Sequence, residues 1–213
     1  MKLDELDINR LRQRRGEKWS HYPADVLPAW VADMDFDIAA PIRAAVEQRV
    51  ALSDCGYPVA AKATGLLDVF CERVGRRFDW HVEPGQVELF SDVVQAIYFG
   101  LLTLANEGDG VVIQTPIYPP FLGSTQTTGR RPVLAPLRAG ERGFEIDFDA
   151  LRDSIDPGTK ILLLCNPHNP TGRCFSRFEL EQLAEIALTF DLAIISDEIH
   201  ADLVFSPHRH IPI

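Results

Sequence analysis

Four short stretches of polar and aromatic residues follow segments that are predicted to be strands. They are FSDVV (90–94), TPIYPPF (115–121), NPHNPTGR (166–173) and SDEIHADL (196–203). The third stretch contains two Asn-Pro steps, and the residue before a proline is kept out of the α region. In open α/β sheets, ligands bind beyond the carboxyl ends of the strands. Because all four stretches would lie at one edge of a sheet, we expect a ligand site there.

Strands and helices alternate along most of the chain. The predicted strands are QVELF (86–90), VVIQ (111–114), RPVLAPL (131–137), KILLLC (160–165) and LAIIS (192–196). The predicted helices cover 36–52, 62–78, 92–105, 147–155 and 176–190, with Asp37 as the N-cap of the first and a short helix after residue 121. Apolar strands separated by helices are typical of a parallel sheet covered on both faces. The sequence therefore predicts an α/β fold with three layers, α/β/α, and a mostly parallel sheet.

The composition excludes several classes of function. The 213 residues carry a formal charge of −10 and have a hydrophobic fraction of 46%. A chain this acidic, without a basic block, is not expected to bind nucleic acid through phosphate contacts. No apolar run approaches the roughly 18 residues of a membrane span, and no secretory signal is visible. The four cysteines have no C-x-x-C spacing, so we expect a reduced, cytoplasmic protein and no metal site.

Two motifs carry a resemblance to a known family. HNPTG (168–172) and SDE (196–198) resemble the large domain of the fold-type I enzymes that use pyridoxal 5′-phosphate (PLP), the aminotransferase class I/II superfamily. WVADMDF (30–36) and SDEIH (196–200) resemble its cystathionine β-lyase branch, the bacterial-type C–S lyases. The resemblance begins near residue 15 and runs to the end of the chain. It implies an N-terminal arm and helix of the small domain at 1–50, an incomplete PLP-binding large domain at 51–213, and a homodimer when complete.

The resemblance also implies individual contacts to the PLP ring. Asp197 would keep the pyridine nitrogen protonated, which makes the ring an electron sink; the alternative is a helix-capping or solvated aspartate. Asn169 would hydrogen-bond the phenolic oxygen of the ring. Tyr118 would stack on the ring, or it is a core tyrosine beside prolines. His200 either tunes the cofactor or packs behind it.

The PLP phosphate is expected at the N-terminus of the helix that follows Asp92. The backbone amides of Val93 and Val94 would bind it there. Relatives usually have glycine at the position of Asp92, and a carboxylate beside a phosphate is unfavourable unless it points away. Tyr57 matches a tyrosine that reaches the phosphate of the neighbouring subunit, or it is a simple loop residue. Asn166 and His168 are expected to be turn and loop residues without a catalytic role.

The Schiff-base lysine that the family uses as its catalytic centre has no counterpart in this chain. Lysine occurs at positions 2, 18, 62 and 160, so none follows Asp197. Lys160 begins a predicted strand and therefore lies at the opposite end of the sheet. The chain stops at RHIPI without a closing helix, and we interpret it as a fragment that is inactive alone.

The resulting prediction is part of a PLP-dependent carbon–sulfur β-lyase. Its substrates would be L-cysteine conjugates such as cystathionine, and the products thiol, pyruvate and ammonia. An aminotransferase with the same cofactor site is one alternative. A non-catalytic PLP-binding remnant or interaction module is another, and the absent lysine favours it for the 213-residue chain taken literally.

Overall fold

The computed structural model describes residues 6–140 and 143–213. The chain divides into two compact units, Met1–Val59 and Ala60–Ile213. The first contains helices α1 (Ile8–Leu11), α2 (Glu17–Ser20) and α3 (Ala40–Ala51). Within the described residues, no helix is both long and apolar enough to cross a membrane.

Asp35, from the WVADMDF stretch, joins distant parts of the first unit. Its carboxylate accepts hydrogen bonds from Lys18 Nζ at 2.8 Å and from Trp19 Nε1 at 2.7 Å. The helix predicted at 36–52 is present as α3, but the prediction that Asp37 caps it is wrong. The N-cap is Ala39, and Asp37 instead forms a 3.0 Å hydrogen bond with Arg10.

The second unit is built on a four-stranded parallel sheet with the order β2-β1-β5-β6. Its strands are β1 (Gly110–Thr115), β2 (Arg131–Pro136), β5 (Thr159–Cys165) and β6 (Ala193–Asp197). The central strands β1 and β5 are buried almost throughout, which explains their continuous apolar sequences. Two short strands, β3 (Arg138–Gly140) and β4 (Gly143–Glu145), form a separate antiparallel pair.

Helices cover both faces of the sheet. The second unit has α4 (Leu66–Phe78), α5 (Val93–Leu104), α6 (Pro119–Thr127), α7 (Phe148–Ser154) and α8 (Arg177–Thr189). Leu101 of α5 and Phe121 of α6 pack with Ile113 and Leu163 on one face. Leu151 of α7 and Leu183 of α8 belong to the core cluster of the other face, which also contains Val112 and Leu162. Adjacent residues of each strand therefore enter opposite cores, and the predicted three-layer α/β/α fold is confirmed.

Three local predictions need correction. The strand predicted at 86–90 is wrong, because Pro84–Gln86 is a 3-10 turn and residues 87–90 pair with no strand of the described structure. The loop predicted at 115–121 ends early, since Pro119 already begins α6, where a proline suits the first turn. The helix predicted at 62–78 is divided by Gly65, whose φ of 73° is left-handed; a 3-10 turn, Ala61–Ala63, precedes it and α4 follows.

Side-chain caps define where the other helices of this unit begin. Asp92 caps α5 and Asp147 caps α7, each by accepting a hydrogen bond from a backbone amide. Ser176 and Glu179 form a reciprocal capping box at α8. Arg173 adds two hydrogen bonds of 2.8 and 3.0 Å to the Glu179 carboxylate, so the loop after β5 is held firmly to α8.

Candidate functional site

The loops after β1, β5 and β6 are joined by backbone hydrogen bonds at the carboxyl edge of the sheet. The amide of Tyr118 donates to the carbonyl of Asn169 over 3.2 Å, and the amide of Asn166 donates to the carbonyl of Asp197 over 3.0 Å. The strand register also sets Cys165 opposite Asp197. The loop after β5, which carries Asn169, is therefore tied both to Tyr118 and to the end of β6 at Asp197.

Asp197 provides a buried carboxylate at this edge. Its residue exposure is 8%, and Oδ1 accepts a 3.0 Å hydrogen bond from the amide of Ile199. No other hydrogen bond reaches the carboxylate from the parts of the chain that the structure describes. Burial raises its pKa, as does the neighbouring charge of Glu198, while the Ile199 amide and His200 act in the opposite direction; the net shift is upward. A buried carboxylate with so few hydrogen bonds favours a cationic partner.

The loop 166–172 is anchored by the residues around Asn169. Asn166 is fully buried and its Oδ1 accepts a 3.0 Å hydrogen bond from the amide of Phe175, so it does more than form a turn. His168 is also buried, and its Nδ1 pairs with Thr171 Oγ1 at 2.9 Å. Burial, aided by the charge of Arg173, lowers the pKa of His168 to about 4, so its ring is neutral near pH 7. Neither side chain was predicted to have this anchoring role.

Asn169 itself keeps its side chain available. Its backbone amide lies 3.5 Å from Cys165 Sγ, whereas its side-chain amide has no hydrogen-bond partner within residues 6–140 and 143–213. Burial raises the pKa of Cys165 to about 11, so this thiol is protonated and inert near pH 7, as expected from its position in an apolar strand.

The N-terminus of α5 presents two unpaired backbone amides. Asp92 turns its carboxylate onto its own helix, where Oδ1 accepts a 2.8 Å hydrogen bond from the amide of Gln95. The amides of Val93 and Val94 have no acceptor in the described structure. Val93 and Ile117, the residue before Tyr118, both pack against the core cluster on this face of the sheet. Free amides at a helix N-terminus favour an anion.

Tyr118 and His200 differ in exposure from the buried groups around them. Tyr118 is 42% exposed, so the alternative that it is a core tyrosine is wrong. His200, which is partly exposed, follows Asp197 by three residues and is the N-cap residue of the 3-10 turn Ala201–Leu203. Tyr57 belongs to the other unit and is fully exposed; its predicted contact with a neighbouring subunit stays a prediction.

One pair of residues near Asp197 was missed from the sequence. The Nε2 atom of His210 lies 2.8 Å from Glu198 Oε2, and the histidine side chain is only 1% exposed. The two residues are 12 positions apart, outside any helix or strand period, so no pattern in the sequence could have linked them.

Known proteins show extended similarity to the chain. Residues 60–213 match the family model for aminotransferase class I and II. The cystathionine β-lyase PatB of Bacillus subtilis is 36% identical over 189 residues, which cover 88% of this chain and 48% of the relative. The arginine–pyruvate transaminase AruH of Pseudomonas aeruginosa is 32% identical over 188 residues, again 88% of this chain and 48% of the relative.

Solved structures agree with the sequence matches. The crystal structure of the PLP-bound C–S lyase from Staphylococcus hominis superimposes with a TM-score of 0.88 at 29% identity, covering 100% of this chain and 55% of that one. The chain spans about half the length of the curated relatives that it matches.

Proposed function

The chain belongs to the aminotransferase class I and II family, and from this membership we propose that it forms the PLP-binding portion of a carbon–sulfur β-lyase. Its substrates would be L-cysteine conjugates such as cystathionine. The large domain at 51–213, preceded by a small-domain segment at 1–50, is part of this proposal. Similarity to PatB and to the Staphylococcus hominis C–S lyase supports the choice of reaction.

The proposal rests mainly on one observation: the candidate site offers both a buried carboxylate and free backbone amides. Asp197 contributes a buried carboxylate with a single hydrogen bond from the described chain, and the N-terminus of α5 contributes the unpaired amides of Val93 and Val94. A ligand with a cationic ring nitrogen and an anionic phosphate matches these two ends. The residues present therefore fit PLP.

Each residue has a distinct task toward the cofactor in this proposal. Asp197 holds a proton on the pyridine nitrogen, because its ionised form gains a buried cationic partner. Asn169 donates from its free side-chain amide to the phenolic oxygen, and Tyr118 stacks its exposed ring on the cofactor. When bound, PLP supplies a ring that withdraws electrons from the α-carbon of an amino-acid substrate. His200, beside Asp197, tunes the ring or packs behind it.

The phosphate would lie against Val93 and Val94. Asp92 is compatible with this arrangement because its carboxylate is directed to the Gln95 amide. That contact also occupies one of the donors at the helix end, so we expect weaker phosphate binding than at a helix end with all donors free. Tyr57 would reach the phosphate of a partner subunit in a homodimer.

The lysine that attaches the cofactor is not among these residues. Lys160 lies in the amino-terminal part of β5, away from the carboxyl edge, and no lysine follows Asp197. The proposal therefore concerns the full-length protein, and residues 1–213 alone would bind PLP weakly and reversibly by non-covalent contacts.

The reaction can be tested on the full-length protein supplied with PLP and cystathionine. We expect pyruvate and free thiol to form faster than amino groups are exchanged with an added 2-oxo acid. Asp197→Asn is the control, because it should lower both rates if they depend on one cofactor site. Dominant exchange would refute the lyase assignment and leave the cofactor assignment intact.

An aminotransferase is the second candidate function. Asp197, Asn169 and Tyr118 would serve both reactions equally, and the similarity to AruH supports it. The lyase is preferred because WVADMDF and His200 resemble the lyase branch. A full-length protein that binds no PLP would instead support a non-catalytic role.

A further inference from the structure

Glu198 connects the residue before Asp197 to a distant part of the chain. Its Oε1 accepts hydrogen bonds from Ser196 Oγ at 2.9 Å and from the amide of Ile213 at 3.2 Å, and its Oε2 lies 2.8 Å from His210 Nε2. The Glu198 side chain is only 20% exposed. One carboxylate therefore joins both sides of Asp197 to segment 210–213.

The histidine that Glu198 binds is itself fixed. The ring of Phe78, the last residue of α4, meets the His210 ring edge-on with 5.4 Å between centroids. The Nδ1 atom of His210 is buried without a partner in the described residues. Placing the proton on Nε2 gives Glu198 a donor and avoids a buried, unpaired N–H at Nδ1.

Helix α4 holds the same stretch at a second point. Arg73 and Arg77 bind the carboxylate of Asp202 at 2.5 and 3.0 Å. These side chains are about half exposed, so the two ion pairs contribute little individually. The Glu198–His210 contact, by contrast, is largely buried, and it joins the end of β6 to segment 210–213.

The direction of the Asp197 side chain depends on this loop. The hydrogen bond to its carboxylate comes from Ile199, within the same turn, so a change in the turn at 196–199 would redirect the carboxylate. We propose that Glu198 is a positioning residue, which holds this turn through Ser196, His210 and Ile213 and thereby aims Asp197 at its ligand. The inference rests on the proposed function, because the ligand in question is the PLP ring.

The test uses the full-length protein and four variants: Glu198→Ala, Glu198→Gln, Asp197→Asn and the double variant Glu198→Ala/Asp197→Asn. PLP affinity is measured by titration, and protonation of the ring nitrogen by ¹⁵N NMR of labelled cofactor across a pH series. Glu181→Ala is the matched control, because Glu181 is an exposed residue of α8 with only a 4.0 Å ion pair. Circular dichroism checks that each variant is folded.

Glu198→Ala should weaken PLP binding about tenfold, which corresponds to about 1.4 kcal/mol. It should also lower the pH at which the ring nitrogen loses its proton. Glu198→Gln keeps an oxygen acceptor for His210 and should recover part of the affinity. In the double variant the losses should not add, because residues that act through one another are coupled. Glu181→Ala should match the wild type.

Additive losses in the double variant would overturn the proposal, as would an unchanged ring nitrogen in a folded Glu198→Ala or Glu198→Gln protein. If Glu198→Ala is unfolded, the additivity test with Asp197→Asn is made with Glu198→Gln instead, because glutamine retains the shape of the side chain. Failure of the wild-type protein to bind PLP at all would refute the proposed function. PLP binding that depends on Asp197 but not on Glu198 would refute only the inference about Glu198.

Discussion

Replacing Asp197 by asparagine should move the stability of the protein and its PLP affinity in opposite directions. Asp197 as a residue is 8% exposed, and burial raises the pKa of its carboxyl group. An ionised group in such a place costs free energy of folding until a cationic partner arrives. Asparagine keeps an oxygen that can accept from the Ile199 amide and removes the charge. We therefore expect Asp197→Asn to stabilise the PLP-free protein.

The expected gain is about 1 kcal/mol, as for other residues at which function opposes stability. The pH dependence has a definite sign. Because the pKa of Asp197 is raised in the folded state, the wild-type penalty is absent below the unfolded pKa. It grows as the pH rises from the unfolded pKa to the folded pKa and is complete above the folded pKa. The advantage of Asp197→Asn should thus be present near pH 7 and vanish in acid.

PLP affinity should fall in the same variant. A hydrogen bond to a charged group is worth about 1.5–3 kcal/mol, more than one between neutral groups. Losing the charge of Asp197 should therefore raise the Kd for PLP by roughly one to two powers of ten. Asparagine can still approach the ring nitrogen but cannot hold its proton there.

The assay combines urea unfolding of the PLP-free, full-length protein at two pH values with PLP titration of the folded protein. Asp153→Asn is the control, because Asp153 is exposed on α7 and its replacement should change the free energy of unfolding by less than about 0.5 kcal/mol. A destabilised Asp197→Asn protein at pH 7, or an unchanged Kd for PLP, would refute the reasoning about the buried charge.

Three further outcomes follow from the structure. Glu179→Ala should lower the free energy of unfolding by about 1–2 kcal/mol at pH 7, because it removes the capping box and the contact with Arg173. Burial raises the pKa of Glu179, but the hydrogen bonds from Arg173 and Ser176 outweigh burial and the net shift is downward, so this contribution should be lost as the pH falls through the folded pKa. Equal free energies of unfolding for variant and wild type at pH 7 would contradict the prediction. Tyr118→Ala should weaken PLP binding roughly tenfold because ring stacking is lost, whereas the control Phe178→Ala, at another exposed aromatic residue, should leave it unchanged. Equal PLP affinities of Tyr118→Ala and the wild type in a titration would argue against stacking. Residues 1–213 expressed alone should self-associate in light scattering, because β6 pairs with β5 on one side only within the described structure; a monodisperse sample with a cooperative thermal transition would count against this.

The parts of the fold that could be predicted are those fixed by local sequence. The buried strands β1 and β5 are apolar runs, and α8 begins at a capping box that is readable as Ser176 and Glu179. Their alternation with helices was enough to predict a parallel sheet and the edge where its loops converge. The positions of Asn169 and Asp197 follow from the ends of β5 and β6 alone.

The parts that could not be predicted depend on partners distant in sequence. Residues 86–90 have the composition of a strand, but a strand also needs a neighbour to share its hydrogen bonds, and none lies beside them in the described residues. Asp37 is a good capping residue by type, yet Arg10 binds it 27 positions away. The Glu198–His210 contact is likewise a product of the folded chain, because no local period relates the two positions.

The site contains polar groups that the described chain leaves only partly satisfied. Most buried polar groups in proteins have hydrogen-bond partners, as Oδ1 of Asn166 has in the amide of Phe175 and the carboxylate of Glu179 has in Arg173. Asp197 keeps a buried charge with one hydrogen bond from the described chain, and the first turn of α5 keeps free amides. The two groups need partners of opposite charge, because the Asp197 carboxylate favours a cation and the free amides favour an anion. A ligand that carries both charges relieves both costs at once, so PLP binding should stabilise the fold by more than either contact would alone, through the mass action of binding to the folded state.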